Sequence, residues 1–164
     1  MQNSTNVERK SDRKLVVTRT FNGPARLVFK AWTTPDLLKQ WWTPKSFGIS
    51  FISCEADVRT GGTYRFVFSH AASEQPMAFF GRYIEVTPQS RIVWTNEESA
   101  DGAITTVTFE EKDGKTLLVL HELYPSKQAL DDAIASGSTG TSGAGEQFEQ
   151  LDELLVTLGA SAGR

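Results

Sequence analysis

The sequence predicts an α+β fold in which a curved antiparallel sheet of seven strands packs around one long C-terminal helix. Two observations carry most of this prediction. Hydrophobic residues alternate with a period of two over roughly eighty residues after Pro44, and the chain ends with an amphipathic helix. Short turn-forming segments between the strands favour an antiparallel meander. A sheet with one apolar face must cover that face, and the last helix offers the matching surface.

One strand and two short helices precede the long run of strands. Residues 15–21 alternate and are rich in β-branched side chains, which is typical of a strand. Pro24 suits the first turn of a helix, because its missing N–H is not needed there, and apolar residues at helical spacing continue to Trp32. Pro35 then begins a second short helix, whose apolar side includes Trp41.

The six strands that follow are predicted over residues 47–57, 63–69, 78–87, 92–97, 104–111 and 117–124. Gly61 and Gly62 form a tight turn between the first two of them, because glycine reaches positive φ without a steric penalty. Gly81 lies within a strand and predicts a bulge or bend that helps the sheet to curl. Asp57 and Arg59 are expected to form a structural surface ion pair worth at most ~1 kcal/mol.

The last part of the chain contains a short helix, a stretch of small residues and the long helix. Residues 136–145 are almost entirely Ser, Gly, Thr and Ala, and we expect a mobile loop there that could act as a lid. The final helix presents an apolar stripe, and Gly159 is expected to end it. We therefore predict a single domain over residues 15–159, with a disordered tail over residues 1–14 and a short C-terminal tail over residues 160–164.

Composition and charge exclude several classes of protein. The 164 residues are 39% hydrophobic and carry 17 basic and 20 acidic side chains, a net charge of −3 that argues against a dedicated nucleic-acid binder. The single cysteine, Cys54, excludes an internal disulfide framework and fits a reducing compartment. No apolar run approaches the ~20 residues needed to span a bilayer, and the polar N-terminus lacks a secretory signal. We therefore expect a cytoplasmic protein.

Four sequence motifs occur in the order and spacing of a known superfamily. They lie in residues 19–32, Gln40–Phe47, Asp57–Gly62 and Gly81–Pro88. Over residues 14–158 the chain resembles the START-like, or SRPBCC, superfamily, which includes birch-pollen-allergen-like folds, lipid-transfer domains and polyketide cyclases. Within it, the chain is most similar to the bacterial family resembling the C-terminal domain of the activator of heat-shock-protein-90 ATPase. The resemblance implies a helix-grip fold, in which the sheet curves around the last helix and a cavity can lie between them.

The leading functional hypothesis is a binding protein whose cavity takes a small apolar, aromatic or lipid-like molecule. Aromatic residues make up 10% of the chain, and aromatic side chains commonly line small-molecule sites. The predicted ligand-binding residues are Trp42, Phe66, Phe68, Phe80, Trp94, Phe109, His121, Phe148, Leu151 and Leu155. An error of one residue in strand register would exchange Phe80 for Phe79. Trp41 and Trp42 are about 100° apart on their helix, so one is expected to seal the core and the other to face the mouth.

Two alternatives use the same fold. The family name implies a co-chaperone that stimulates a heat-shock ATPase in a stress response, with a chaperone as its partner. The superfamily also implies an enzyme resembling polyketide cyclases or aromatases, in which His121 on the inner face would be required for turnover and Glu122 would point the opposite way.

The sequence itself makes no positive case for catalysis, and catalytic residues stay unassigned. The two distant histidines and the single cysteine lack the spacing of a zinc site. No metal and no cofactor are therefore expected. The protein is expected to be a monomer or a homodimer that spans no membrane and binds no nucleic acid.

Overall fold

The computed structural model describes residues 5–43, 45–70, 75–97, 102–136 and 144–162. The strands are β1 (Asn6–Arg9), β2 (Lys14–Phe21), β3 (Ile49–Ala56), β4 (Thr63–His70), β5 (Met77–Thr87), β6 (Arg91–Thr95), β7 (Ile104–Lys112) and β8 (Lys115–Leu123). The helices are α1 (Ala25–Thr33), α2 (Pro35–Trp41), α3 (Lys127–Ser136) and α4 (Ala144–Ala162), with a 3-10 turn over Lys45–Phe47. This is the predicted α+β helix-grip fold, in which the helices pack on one face of the sheet, the inner face.

All eight strands belong to one antiparallel sheet, in the order β1-β2-β8-β7-β6-β5-β4-β3. From β3 to β8 they form the predicted meander, and β2 joins the last strand, with Val17 opposite Leu120. The eighth strand, β1, pairs with β2 and lies within the segment that the sequence predicts to be disordered. That prediction is wrong over residues 6–9. Val7 is the one apolar residue of β1, so the strand is formed by backbone pairing that leaves no hydrophobic pattern.

Two irregularities bend the sheet. The register shifts in β3 just after Phe51 and in β5 just after Tyr83. Extra residues of this kind increase the local twist and curvature of a strand. Gly81 is not the bulged residue of β5. Its backbone instead lies so close to β6 that an added Cβ atom would come within 2.1 Å of the Thr95 carbonyl oxygen.

The main core lies between the inner face of the sheet and helices α1, α2 and α4. Its fully buried side chains include Val17 and Phe21 of β2, Val28 of α1, Leu38 and Trp41 of α2, Val107 of β7, Leu118 of β8, and Phe148 and Leu151 of α4. The rings of Phe21 and Phe148 meet edge to face with centroids 5.5 Å apart, which joins α4 to the sheet. A smaller cluster packs α3 against the sheet and contains Leu15, Ala103, Tyr124, Ala129 and Leu130.

The C-terminal helix is longer than the sequence predicts. Helix α4 continues to Ala162, so Gly159 lies inside it rather than at its end. A glycine ends a helix by adopting positive φ, and Gly159 does not adopt it. The predicted lid over residues 136–145 falls largely outside the described residues, which stop at 136 and resume at 144. None of the described helices is long and apolar enough to cross a membrane.

Candidate functional site

Seven aromatic side chains form one continuous group on the inner face, which we call the aromatic cluster. It consists of Trp32, Trp41, Trp42, Phe66, Trp94, Phe109 and Phe148. Trp32 of α1 lies at its centre, with five other ring centroids between 4.8 and 6.2 Å from its own. Edge-on and tilted arrangements of this kind are favourable for aromatic rings. All four tryptophans of the chain belong to the cluster, so tryptophan fluorescence reports on this one place.

The two adjacent tryptophans divide their roles as the sequence predicts. Trp41 is fully buried, and its indole N–H donates a 3.0 Å hydrogen bond to the Ala31 carbonyl of α1. Trp42 comes just after α2 and is only partly buried, with its ring edge-on to that of Phe66 at 5.5 Å between centroids. Trp41 therefore seals the core, and Trp42 stands where the aromatic cluster meets solvent.

Polar side chains of α4 hold the backbone around Trp42. The buried Gln150 accepts a 2.9 Å hydrogen bond from the Lys45 N–H and donates to two carbonyls of the same segment at 3.1 and 2.9 Å. Gln147 donates to the carbonyl of Trp42 itself. The last carbonyls of a helix have no partner within it, and these two glutamines supply partners at the end of α2. The position of Trp42 thus depends on α4 as well as on α2.

Three phenylalanines extend the aromatic cluster towards the edge of the sheet, and we call them the aromatic rim: Phe51 of β3, Phe68 of β4 and Phe79 of β5. They share the inner face, because Phe51 lies opposite Phe68 and Phe79 lies opposite Phe66. The ring of Phe68 lies 4.6 Å from that of Phe51 and 5.3 Å from that of Phe79. Phe68 is only 2% exposed, whereas Phe79 is 41% exposed. The inner face is therefore open to solvent at Phe79.

The structure brings eight of the ten predicted binding residues together on this side of the sheet. They are Trp42, Phe66, Phe68, Trp94 and Phe109 in the aromatic cluster and rim, and Phe148, Leu151 and Leu155 on α4. The prediction is wrong for Phe80, which pairs with Arg65 on the outer face and has that guanidinium 5.9 Å from its ring centroid. Phe79 occupies the inner position instead, as a shift of one residue in register requires.

A family model matches residues 22–156, a range that contains the whole aromatic cluster and aromatic rim, and its description is Activator of Hsp90 ATPase homolog 1-like protein. The chain belongs to this family. The match confirms the resemblance noted from the four sequence motifs. No curated protein matches the chain.

Solved structures that are similar to this family member have the same fold. A protein from Rhodobacter sphaeroides is 23% identical, with a TM-score of 0.82 over 94% of this chain and 99% of that chain. A protein from Nitrosomonas europaea is 23% identical, with a TM-score of 0.81 over 93% and 99%. An AHSA1-like protein from Aeromonas hydrophila is 16% identical, with a TM-score of 0.65 over 86% and 93%. At these identities the likeness concerns the fold alone.

In this AHSA1-like chain, strand β8 presents the opposite face from the one predicted. Leu118 and Leu120 are buried on the inner face, whereas Leu117 is exposed. His121 shares the outer face with Leu117 and lies opposite Val16 of β2. His121 therefore does not lie on the inner face, where a ligand contact or a catalytic role was predicted for it.

Glu122 lies on the inner face, although the sequence predicted that it points the opposite way. It is buried, and its carboxylate accepts a 3.2 Å hydrogen bond from the Tyr124 hydroxyl. In register it lies between Leu15 of β2 and Thr105 of β7, next to the smaller cluster under α3. Because β8 carries leucine on both faces, alternation alone gave no signal for which face turns inward. Its partner Tyr124 belongs to that smaller cluster, so Glu122 is not part of the aromatic site.

The chemistry that the candidate site offers is apolar and aromatic contact. Cys54 of β3 packs beside the core, and burial is the main cause that raises the pKa of its thiol to about 11, which keeps it protonated near neutral pH. In the part of the chain that the structure describes, no three His, Cys, Asp or Glu side chains gather where they could hold a metal ion. A polar groove of about 220 Å³ between α2 and α4, which includes Gln40, Gln150 and Thr157 in its lining, is unsuited to an apolar ligand.

Proposed function

We propose that this AHSA1-like protein binds a small apolar or aromatic molecule at the aromatic rim and Trp42. The observation that carries the proposal is the exposure of Phe79, which is 41% exposed on the inner face beside Phe68 at 2%. Apolar surface that stays in water does not gain the favourable free energy of burial, which is about 25 cal/mol for each Å². An apolar ligand that covers Phe79 and Phe51 would recover part of that free energy.

The surroundings of the aromatic rim support a small ligand rather than a large partner. The aromatic rim lies on the inner face of a curved sheet. The ring of Phe51 in the rim contacts the ring of Phe66 in the aromatic cluster, with 5.8 Å between the two centroids. Small-molecule sites are concave and mostly apolar, with few polar groups. Trp42 adds a large, partly exposed ring at the same place.

Tryptophan fluorescence tests the proposal, because all four tryptophans lie in the aromatic cluster. Titration with 1-anilinonaphthalene-8-sulfonate and with uncharged polycyclic hydrocarbons should give a saturable change in tryptophan emission. At a hundred times the Kd, the ligand should stabilise the fold by about 2.7 kcal/mol. A linear, unsaturable change without a rise in Tm contradicts the proposal.

Two neighbouring phenylalanines of β5 provide a matched pair of variants. Phe79→Ala should weaken binding about fivefold or more, because an aromatic contact of roughly 1 kcal/mol and its apolar area are lost. Phe80→Ala should leave the affinity unchanged, since Phe80 is similarly exposed at 37% but lies on the outer face. Equal effects of the two substitutions would exclude the aromatic rim as the binding site.

A second candidate function is activation of a heat-shock ATPase, as the family description suggests. It is favoured by an apolar pair on the outer face, where the exposed Ile104 lies opposite the exposed Leu123. Adjacent exposed apolar side chains can mark a protein-interaction surface. The chain in stoichiometric excess should then stimulate the chaperone ATPase, and Leu123→Lys should abolish the effect; no stimulation eliminates this candidate.

For either candidate we propose a cytoplasmic location, which the unpaired thiol of Cys54 supports.

A further inference from the structure

We propose that the ligand carries a neutral hydrogen-bond acceptor, such as a ketone oxygen, and that the indole N–H of Trp32 donates to it; this rests on the proposed function. Trp32 is 4% exposed, and its Nε1 has no hydrogen-bond partner among the described residues. Buried polar groups in folded proteins nearly always have a partner, so an unpaired one calls for an explanation.

Trp41 provides the comparison within the same cluster. Its ring centroid lies 4.8 Å from that of Trp32, it is also buried, and its N–H is satisfied by the Ala31 carbonyl. Trp32 instead sits among aromatic rings, which supply no oxygen or nitrogen acceptor of ordinary strength. The acceptor for the indole N–H of Trp32 therefore comes from a bound molecule.

The rings between the aromatic rim and Trp32 form a continuous path. Phe66 contacts Phe51 of the rim, and Trp42 contacts Phe66 at 5.5 Å and Trp32 at 5.7 Å between centroids. A flat ligand that lies against Phe51 and Trp42 directs one end towards Trp32. Of the five rings in contact with Trp32, Trp42 is the one that is only partly buried, so it is the side chain that must shift to admit the acceptor.

The surroundings of Trp32 also define which acceptor is suitable. The five rings in contact with Trp32 are uncharged, and the buried Arg19 of the same face is already paired with Asp152. A carboxylate brought there would lose its hydration without gaining a counter-charge, which is strongly unfavourable. The inferred ligand class is therefore an aromatic or polycyclic ketone, aldehyde or quinone rather than a fatty acid or a plain hydrocarbon.

The experiment compares 9-fluorenone with fluorene, which have the same three-ring skeleton and differ at the ketone oxygen. Nitrogen-15 NMR spectra of the labelled protein contain four indole N–H signals, one for each tryptophan. We expect fluorenone to bind about tenfold more tightly, as one added hydrogen bond allows. The Trp32 indole proton should move downfield with fluorenone and not with fluorene, while the Trp41 signal stays in place.

The variant Trp32→Phe keeps an aromatic ring and removes the donor. It should bind fluorenone no more tightly than fluorene. A preference for fluorenone that survives in the variant overturns the inference. Should the variant fail to fold, the indole shifts of the wild-type protein decide the question.

Failure of this inference is distinguishable from failure of the proposed function. Suppose that both compounds bind equally well, that Phe79→Ala weakens both, and that the Trp32 signal does not move. This result overturns the inferred hydrogen bond to Trp32 and leaves the aromatic rim as the ligand site. Absence of binding by both compounds overturns the acceptor and the proposed site together.

Discussion

Arg19 brings a full charge onto the apolar inner face of β2. Its side chain is 5% exposed, and it pairs with Asp152 of α4, which is 26% exposed. A second guanidinium nitrogen donates a 2.7 Å hydrogen bond to the Thr5 hydroxyl, and the ring of Phe21 lies 5.6 Å from the guanidinium carbon. The carboxylate that balances this buried charge therefore comes from a helix distant in sequence.

Removing one member of this ion pair should lower the free energy of unfolding more than removing the other. Asp152→Ala should lower the free energy of unfolding by about 3–5 kcal/mol, because it leaves a buried charge without its partner. Arg19→Met should cost less, since Asp152 keeps contact with water. Urea unfolding measures both effects. Arg59→Ala is the control: the predicted Asp57–Arg59 pair is present at 2.8 Å and well exposed, so its loss should cost at most ~1 kcal/mol. Equal costs for Asp152→Ala and Arg59→Ala would contradict this account.

His121 should make stability depend on pH. Its partial burial on the outer face, assisted by Lys14 and Arg91, lowers its pKa below the ordinary value. The unfolded chain then takes up the proton first, so stability falls as the pH drops from about 6.5 to the lowered pKa. The loss of stability between pH 7 and pH 5 should be smaller in His121→Gln. An NMR titration gives the pKa directly, Lys14→Gln should raise it, and a value above the ordinary one would contradict the prediction.

At the scale of elements, two glycines should respond to alanine in opposite ways. Gly81→Ala should destabilise the fold by about 1–3 kcal/mol or more, because the new methyl group overlaps the backbone of β6 at Thr95. Gly159→Ala should stabilise it by about 0.5–1 kcal/mol, because Gly159 lies inside α4 with nothing within 4 Å of its Cβ position. Thermal unfolding measures both. A loss of stability in Gly159→Ala would mean that the helix ends there, as the sequence first suggested.

The contacts between α4 and the end of α2 predict that Gln150 stabilises the fold and holds Trp42 in place. Gln150→Leu keeps the size of the side chain but leaves the Lys45 N–H and two carbonyls unpaired, so stability should fall by about 1–3 kcal/mol. Trp42 should become more exposed, with tryptophan emission shifted to longer wavelength. Gln128→Leu, which affects one exposed contact with Asp132, should change neither quantity.

The strands could be predicted from the sequence, but the faces they present could not. A period of two identifies a strand wherever one side is buried, which accounts for β2 to β8. It does not say which side is buried when both carry apolar residues, as at Phe79 and Phe80 or along β8. The bulge in β5 adds to the problem, because Tyr83 and Val86 both contact the core although their spacing is odd. Register is set by neighbouring strands, which a single sequence does not reveal.

At the scale of the whole molecule, the candidate site is built from distant parts of the chain. The aromatic cluster draws on α1, α2, the residue just after α2, three strands and α4, so no short motif could contain it. The aromatic content of the sequence predicted most of its members. Trp32 and Phe51 gave only the pattern of ordinary core residues, and the unpaired indole N–H of Trp32 is visible only once its neighbours are in place.

The position of β2 between β1 and β8 has a consequence during synthesis. Phe21 of β2 pairs with Thr116, which leaves the ribosome roughly a hundred residues later. At about 5–20 residues per second, this interval is on the order of 5–20 s. Until then the nascent strand has only the four-residue β1 as a partner, and an isolated hairpin is barely stable in water. The sheet therefore closes only after β8 has been synthesised, and the apolar side of β2 needs shielding from other chains until then.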